Sequence, residues 1–288
     1  MLSWQIGDVK VTRIVEVELP VPYSTRSPFL ADATPEALRQ HPWLYPHYVT
    51  EEGHLRLSIH ALLVEAPGLR LVVDTCIGND RPRSLNGGQP LATEFLERFG
   101  EAGWTRDGVD TVVCTHLHVD HVGWNTMLED GKWVPTFPKA RYLIGRTEHA
   151  HWSAEGDPEQ QQILADSVQP IFDAGLVDLV EMDHRISNEV RLIPTPGHTP
   201  GHVSVMIESK GQVAMITGDA VHHPSQLAHP DWSPPFDSDP VASAVMRRSM
   251  FEGVADGPVL VIGTHFAAPT AGHIKRDGEA YRFDGVGL

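Results

Sequence analysis

Cysteine is scarce in this chain, which has only Cys76 and Cys114 among its 288 residues. Each lies in an apolar run, so we expect two buried free thiols rather than a disulfide bond. The sequence also has no Cys-x-x-Cys pair. Any metal site must therefore be built from nitrogen and oxygen ligands.

Long apolar runs and basic clusters are missing as well. No stretch of 18 or more apolar residues could span a bilayer, and residues 1–11 lack the apolar core of a secretion signal, so we expect a cytoplasmic protein. Lys and Arg number 22 against 38 Asp and Glu, which gives a net charge of -16. Because phosphate backbones and anionic membranes bind basic clusters, we expect neither nucleic acid nor a membrane as a partner.

The composition, with 41% hydrophobic and 21% charged residues, is typical of a soluble globular protein. Along the chain, strand-like and helix-like segments alternate. Two packed β-sheets with helices on their outer faces would use all of these segments, so we predict an α/β fold in a single domain, 1–288. Strands are predicted at 9–21, 55–65, 69–74, 111–115, 140–144, 176–182, 189–194, 203–208, 213–217, 258–262 and within 273–283, and helices at 35–40, 93–102, 157–174 and 240–254.

Residues 20–50 differ from the rest because they are rich in proline and aromatic residues. We interpret this segment as an ordered excursion over the surface rather than as core.

The run from His116 to His121 has the sequence His-Leu-His-Val-Asp-His and concentrates metal-ligand side chains. In an extended segment, His116 and His118 point to the same side, so both can bind one ion. Asp120 and His121 follow where the chain turns and can face a second ion nearby.

Three further candidate ligands, His198, Asp219 and His265, each come directly after an apolar strand-like run. Together with the His-rich run, they supply five imidazoles and two carboxylates, enough for two adjacent divalent ions. Such ligands suit zinc, iron, manganese or cobalt, and we expect zinc. Two cations lower the pKa of a bound water toward ~7, which favours hydrolysis by hydroxide.

These motifs, with the Gly-His-Thr-Pro-Gly-His run at 197–202 and Thr-Gly-Asp at 217–219, resemble the metallo-β-lactamase fold superfamily. Within it, the pattern is similar to acyl-homoserine-lactone lactonases and methyl parathion hydrolases. The resemblance implies an αββα sandwich with the site at one edge of its two sheets. It also implies a first ion held by His116, His118 and His198, a second held by Asp120, His121 and His265, and Asp219 as the bridge.

Other residues are assigned supporting roles. Asp74, at the end of an apolar run, could orient a ligand imidazole, while His202 is interpreted as a supporting residue rather than a ligand. Asp120 could also accept a hydrogen bond from the nucleophile and pass a proton to the leaving group. The lactonases resembled here usually carry Tyr three residues after the bridging Asp, where this chain has His222, a candidate donor to a substrate oxygen.

The substrate is less closely defined. Phe29 in the excursion and Trp232 and Phe236 in the loop 222–238 are candidate pocket walls, which favour a small, uncharged or apolar substrate. A lactone or ester is the favoured substrate, with a methyl-parathion-type phosphotriester as the alternative. Thioester hydrolysis of the glyoxalase II type and iron-dependent redox chemistry are further alternatives, and the chain could act as a monomer or a homodimer.

Overall fold

The strands form two mixed sheets and a small hairpin in the computed structural model, which describes residues 1–286. The strands are β1 (Ser3–Ile6), β2 (Val9–Val21), β3 (Leu55–Ala66), β4 (Leu69–Val73), β5 (Thr111–Cys114), β6 (Thr126–Glu129), β7 (Lys132–Pro135), β8 (Arg141–Gly145), β9 (Val177–Val180), β10 (Val190–Pro194), β11 (Val203–Ser209), β12 (Gln212–Ile216), β13 (Leu260–Ile262), β14 (Ala271–Asp277) and β15 (Ala280–Gly285). The first sheet has seven strands in the order β1-β2-β3-β4-β5-β8-β9, the second has six in the order β10 to β15, and β6 pairs with β7.

The helices are short except for the last one. They are α1 (Pro35–Leu38), α2 (Phe95–Glu101), α3 (Arg146–Ala154), α4 (Pro158–Ile163), α5 (Gln169–Asp173), α6 (Ser225–Ala228) and α7 (Pro240–Val254). No helix within residues 1–286 is both long enough and apolar enough to cross a membrane.

Both sheets are covered on both faces, and the alternation of side chains along their strands accounts for this. In β4, Leu71 and Val73 pack between the two sheets, whereas Val72 faces the layer that holds α2. The second sheet behaves in the same way: Ile216 joins the layer between the sheets, and Met215 packs with residues of α7. The predicted arrangement of two sheets with outer helices is therefore confirmed.

Strand direction brings the ends of several strands to one edge. In the first sheet β4 and β5 are parallel, so their carboxyl ends lie side by side. In the second sheet β12 and β13 are parallel, and β10 runs in the same direction because two antiparallel pairings separate it from β12. The segments that follow these strands carry the candidate ligands.

The predicted helix at 157–174 is interrupted. It contains α4, one π-helical turn over Leu164–Val168, and α5. Pro170 has no backbone N–H, so it cannot continue the usual pattern, and the amide of Gln169 instead bonds to the carbonyl of Leu164. Strand β1, the β6–β7 hairpin and α3 were not predicted, because their short segments lack a clear apolar period.

The proline-rich segment is not a surface excursion throughout, so that prediction was wrong in part. Leu30, Leu38, Leu44 and Tyr48 are buried, and they pack in the same cluster as residues of α7. Their side chains cover one end of the second sheet. The predicted single domain, 1–288, extends two residues beyond the described part of the chain.

Gly123 lies where the segment after the His-rich run passes the segment after β4. Its amide donates to the carbonyl of Cys76, and the next amide, of Trp124, donates to Thr75. A Cβ atom at position 123 would lie 1.8 Å from the carbonyl oxygen of Ile77. Only glycine allows the two backbones to approach this closely. This contact therefore fixes the position of the His-rich segment, residues 116–121, relative to the segment that follows β4.

We expect Gly123→Ala to lower the free energy of unfolding by about 2–3 kcal/mol, because the added methyl group must push two hydrogen-bonded backbones apart. Urea unfolding measures this change. Gly100→Ala in α2 is the matched control, since a Cβ there meets no atom within 4 Å and alanine favours a helix. Equal stabilities of the two variants would contradict the close-approach argument.

Candidate metal centre

The seven residues predicted as metal ligands lie together at the edge where the strand ends meet. Each can offer one nitrogen or oxygen atom, and these atoms form sets of three within 4.8 Å of one another. The sets are His116/His118/His198, His116/His121/Asp219, Asp120/His121/His265 and His198/Asp219/His222.

Three imidazoles form the first half of the centre. The Nε2 atom of His198 lies 2.8 Å from Nδ1 of His118 and 3.2 Å from Nε2 of His116. The remaining pair, His116 Nε2 and His118 Nδ1, is 3.0 Å apart. Ligands about 2.0–2.1 Å from a tetrahedral zinc ion are about 3.3 Å from one another. The three nitrogens therefore converge with roughly the spacing that one ion requires.

Asp120, His121 and His265 form the second half. The Nε2 atoms of the two histidines are 3.3 Å apart. The carboxylate of Asp120 lies 3.6 Å from His121 Nε2 through Oδ1 and 3.4 Å from His265 Nε2 through Oδ2. This half is partly open to solvent, since the side chain of Asp120 is 18% exposed.

The carboxylate of Asp219 lies between the two halves. Its Oδ2 atom is 3.2 Å from Nε2 of both His121 and His265, and 3.6 Å from Nε2 of His198. Its Oδ1 atom is buried and has no hydrogen-bond partner. A buried carboxylate that faces both ligand sets and keeps one oxygen unpaired has the position that a bridging ligand needs.

His222 adds a sixth imidazole that the sequence suggested as a catalytic residue, not as a ligand. Its Nε2 atom lies 3.3 Å from Oδ2 of Asp219. Both of its ring nitrogens are buried without a hydrogen-bond partner. The geometry therefore allows His222 to contact either an ion or a substrate oxygen.

Burial keeps one set of imidazoles neutral. It lowers the pKa of His116, His118 and His198 well below the ordinary imidazole value. A neutral imidazole has a free lone pair, which is the form that binds a metal.

Negative charge dominates the other set. Burial alone would lower the pKa of His121, but the carboxylates around it, Asp219 first, outweigh burial and raise that pKa well above the ordinary value. Burial would raise the pKa of Asp219, but the neighbouring imidazoles, chiefly His121 and His265, hold it well below its ordinary value. Carboxylates that stay ionised in a buried cluster attract cations, so the residues fit divalent metal ions.

Two of the three predicted wall residues lie beside this cluster. The rings of Phe29 and Phe236 are 5.5 Å apart, and each is within 6 Å of the His222 ring, at 5.9 and 5.4 Å. Phe236 is 42% exposed and also lies 5.9 Å from the ring of His198. These two rings form an apolar wall next to the ligands.

Trp232 does not join that wall. It is buried in the apolar layer around α7 and stacks on His229 at 4.0 Å. The wall has an unpredicted member instead, Trp152 of α3, whose ring lies 5.2 Å from that of His118. Its position depends on a helix that the sequence pattern did not indicate.

A family model described as the metallo-beta-lactamase superfamily matches residues 55–275. The matched range covers most of the chain and includes the His-rich run, His198, Asp219 and His265. This chain belongs to the metallo-β-lactamase superfamily. It is therefore a metallo-hydrolase by family, and its clustered histidines and aspartates are groups that could hold divalent metal ions.

Relatives within the superfamily include lactonases. An N-acyl homoserine lactonase of Bacillus cereus is 26% identical over 212 residues, which are 69% of this chain and 78% of that protein. Two further lactonases from the genus match over 52% and 65% of their own lengths.

Two solved structures share the fold over nearly their full lengths. AidC, a dizinc quorum-quenching lactonase in complex with a product, has a TM-score of 0.81 at 18% identity and covers 100% of this chain and 97% of its own. The hydrolase AbOPH of the beta lactamase superfamily has a TM-score of 0.80 at 24% identity, over 99% and 97% of the two chains. At these identities the likeness concerns the fold.

Hydrogen bonds from surrounding residues orient the imidazoles of the candidate metal centre. Asp74 was predicted to hold a ligand, and its Oδ2 atom lies 2.9 Å from Nδ1 of His121. Both Asp74 oxygens also accept from Thr115, one from its amide and one from its hydroxyl. The Thr115 hydroxyl in turn lies 3.1 Å from Nδ1 of His116, so one buried carboxylate supports both halves of the centre.

Two acceptors for the other imidazoles were not predicted. Nδ1 of His198 lies 2.8 Å from Oδ1 of Asp237, and Nδ1 of His265 lies 3.0 Å from the carbonyl oxygen of Ser58. No sequence signal marks Ser58, because its contact uses the backbone. Asp237 stands in the loop before α7, where the cap residue Asp239 was the more obvious acidic residue.

His202 has the supporting role expected for it. Its Nε2 atom accepts from the amide of Asp219 at 2.8 Å, and its Nδ1 atom lies 2.8 Å from the hydroxyl of Thr195. It belongs to none of the ligand sets. It fixes the backbone that carries the central carboxylate.

Glu148 of α3 is another unpredicted residue at the site. One carboxylate oxygen accepts from the amide of Leu117, and the other accepts from the hydroxyl of Thr199 and the amide of Gly201. Burial raises its pKa, and these hydrogen bonds partly oppose that shift. Glu148 therefore joins the His-rich loop to the loop of His198.

We expect Asp237→Asn to weaken metal binding about tenfold, since it removes the charge that orients His198 and strengthens its lone pair. Competition with a chromophoric chelator measures the affinity. Asp239→Asn is the matched control in the same loop, because asparagine caps a helix as well as aspartate does. Identical metal affinities in both variants would remove Asp237 from the supporting set.

Proposed function

We propose that this protein is a dinuclear metal-dependent hydrolase that opens a lactone or cleaves an ester. The observation that carries the proposal is the convergence of two imidazole sets on the buried carboxylate of Asp219, beside the apolar wall of Phe29 and Phe236. Zinc is the proposed metal, given nitrogen and oxygen ligands and the tetrahedral spacing of the first set.

The residues divide the work of holding two ions. His116, His118 and His198 would hold one, and Asp120, His121 and His265 the other, with Asp219 shared between them. Two bound divalent ions would supply hydroxide at neutral pH and polarise the oxygen of an electrophilic carbonyl or phosphoryl group. Asp120, whose side chain is 18% exposed, is positioned to accept a proton and return it to the leaving group.

The wall favours an apolar substrate. Phe29 and Phe236 offer aromatic surface within 6 Å of His222, so they can hold an acyl chain and exclude water from the reacting group. The relatives that are N-acyl homoserine lactonases support a lactone as the favoured class.

A phosphotriester is the second candidate, and His222 is the reason. It replaces the tyrosine expected three residues after Asp219 in lactonases, and both of its nitrogens lack a hydrogen-bond partner among residues 1–286. An imidazole N–H donor at this place suits an uncharged phosphoryl oxygen as well as a carbonyl oxygen. Thioesters and iron-dependent redox reactions have no comparable feature in their favour.

A substrate panel on metal-quantified protein tests the proposal. We expect two ions per chain and turnover of homoserine lactones, simple γ- and δ-lactones or aryl esters that exceeds turnover of methyl paraoxon. Asp219→Ala is the control, and it should lose at least one ion and nearly all hydrolysis. The reverse ranking would favour the phosphotriesterase. No turnover of any member of the panel by dimetal protein would refute both candidates.

The variant His222→Phe distinguishes two roles for His222, metal ligand and substrate-binding residue. The change keeps a planar ring but removes both nitrogens, so we expect both ions to remain while kcat falls at least tenfold. Metal analysis and steady-state kinetics on the best substrate measure the two effects. Loss of an ion would make His222 a ligand, and an unchanged kcat would remove it from the reaction.

A further inference from the structure

A second pair of histidines lies outside the candidate metal centre. His41 precedes a short 3-10 turn in the segment 20–50, and His229 follows α6. Their Nε2 atoms are 2.9 Å apart, with ring planes inclined at 75°. Neither residue belongs to the ligand sets of the centre.

Within residues 1–286, only the candidate ligands have imidazole nitrogens as close to one another as those of His41 and His229. All other imidazole pairs there with ring nitrogens this close are candidate ligands, at 2.8 to 3.3 Å. A shared hydrogen bond would satisfy only one proton and one lone pair. Two nitrogens that face each other at this distance can instead share an ion.

The surroundings hold both rings in place. The His229 ring stacks on Trp232 at 4.0 Å with nearly parallel planes, and the His41 ring lies edge-on to Trp43. Their backbones are fixed too, since the amide of His41 donates to Leu38 and that of His229 to Ser225. Both side chains are only partly buried, so an ion can reach them from solvent.

The neighbouring charge favours a cation. The carboxylates of Asp32 and Asp231 act on His229, and that of Asp277 acts on His41. Burial, the larger effect, lowers the pKa of both imidazoles, which leaves them neutral with free lone pairs. The one cationic side chain paired with these carboxylates, Arg248, lies 3.7 Å from Asp231.

We propose that His41 and His229 form an accessory site for a divalent transition-metal ion, which ties the segment 20–50 to the loop 222–238. Water completes the coordination. With two protein ligands, this site binds more weakly than the main centre and fills after it. The ion joins the two segments that carry Phe29 and Phe236, and so steadies both halves of the apolar wall.

Zinc counting on the full chain tests the site. Protein already loaded at the main centre is dialysed against graded free zinc, and bound zinc per chain is measured by atomic absorption. The variants are His41→Gln and His229→Gln, and His47→Gln is the matched control from the same segment. We expect the wild type and His47→Gln to bind one ion more per chain than the other two variants at the same free zinc.

Thermal unfolding gives a second readout that does not depend on substrate. At free zinc several times the dissociation constant, the wild-type Tm should rise by about 2–4 °C, and His41→Gln should show no rise in that range. If His229→Gln fails to fold because it loses the stack on Trp232, His41→Gln carries the comparison alone. Equal zinc content and equal Tm shifts in the wild type and His41→Gln would overturn the proposal, whatever the hydrolase assays show.

Discussion

The buried carboxylate of Asp219 is the constraint on which the site depends. An ionised carboxylate removed from water costs several kcal/mol unless positive charge compensates it. Here its neighbours are imidazoles, and burial keeps those of the first ligand set neutral. Asp74, Asp120 and Asp237 add further negative charge to the same region. Divalent ions held here would balance this charge, so metal binding would stabilise the folded chain as well as supply chemistry.

The fold brings these charged side chains together because many short segments end at one edge of the two sheets. Parallel strand directions place the ends of β4 and β5 in one sheet, and of β10, β12 and β13 in the other, around a common point. Contacts between the loops then fix their positions relative to one another. Gly123 allows one close approach, and Glu148 joins two ligand loops that are far apart in sequence.

The candidate substrate wall and the candidate metal ligands lie in different parts of the chain. The ligands follow strands of the two sheets, whereas Phe29 and Phe236 lie on connecting segments that can vary without disturbing those strands. The histidine pair of His41 and His229 lies between the same two segments. A superfamily with one metal chemistry can therefore act on different substrates by changing segments such as these.

The sequence by itself indicated the candidate ligand set and the two-sheet fold, because residue type and spacing suggest metal ligands, and strands have an apolar period. Asp74 and His202 were also foreseen from their places beside ligand runs. Only the tertiary structure decided that Asp237, Glu148, Trp152 and the Ser58 carbonyl support or flank the site, that Trp232 lies in the core, and that several side chains of the proline-rich segment are buried. Those roles depend on contacts between segments distant in sequence, and a local pattern carries no information about which distant backbone will lie beside it.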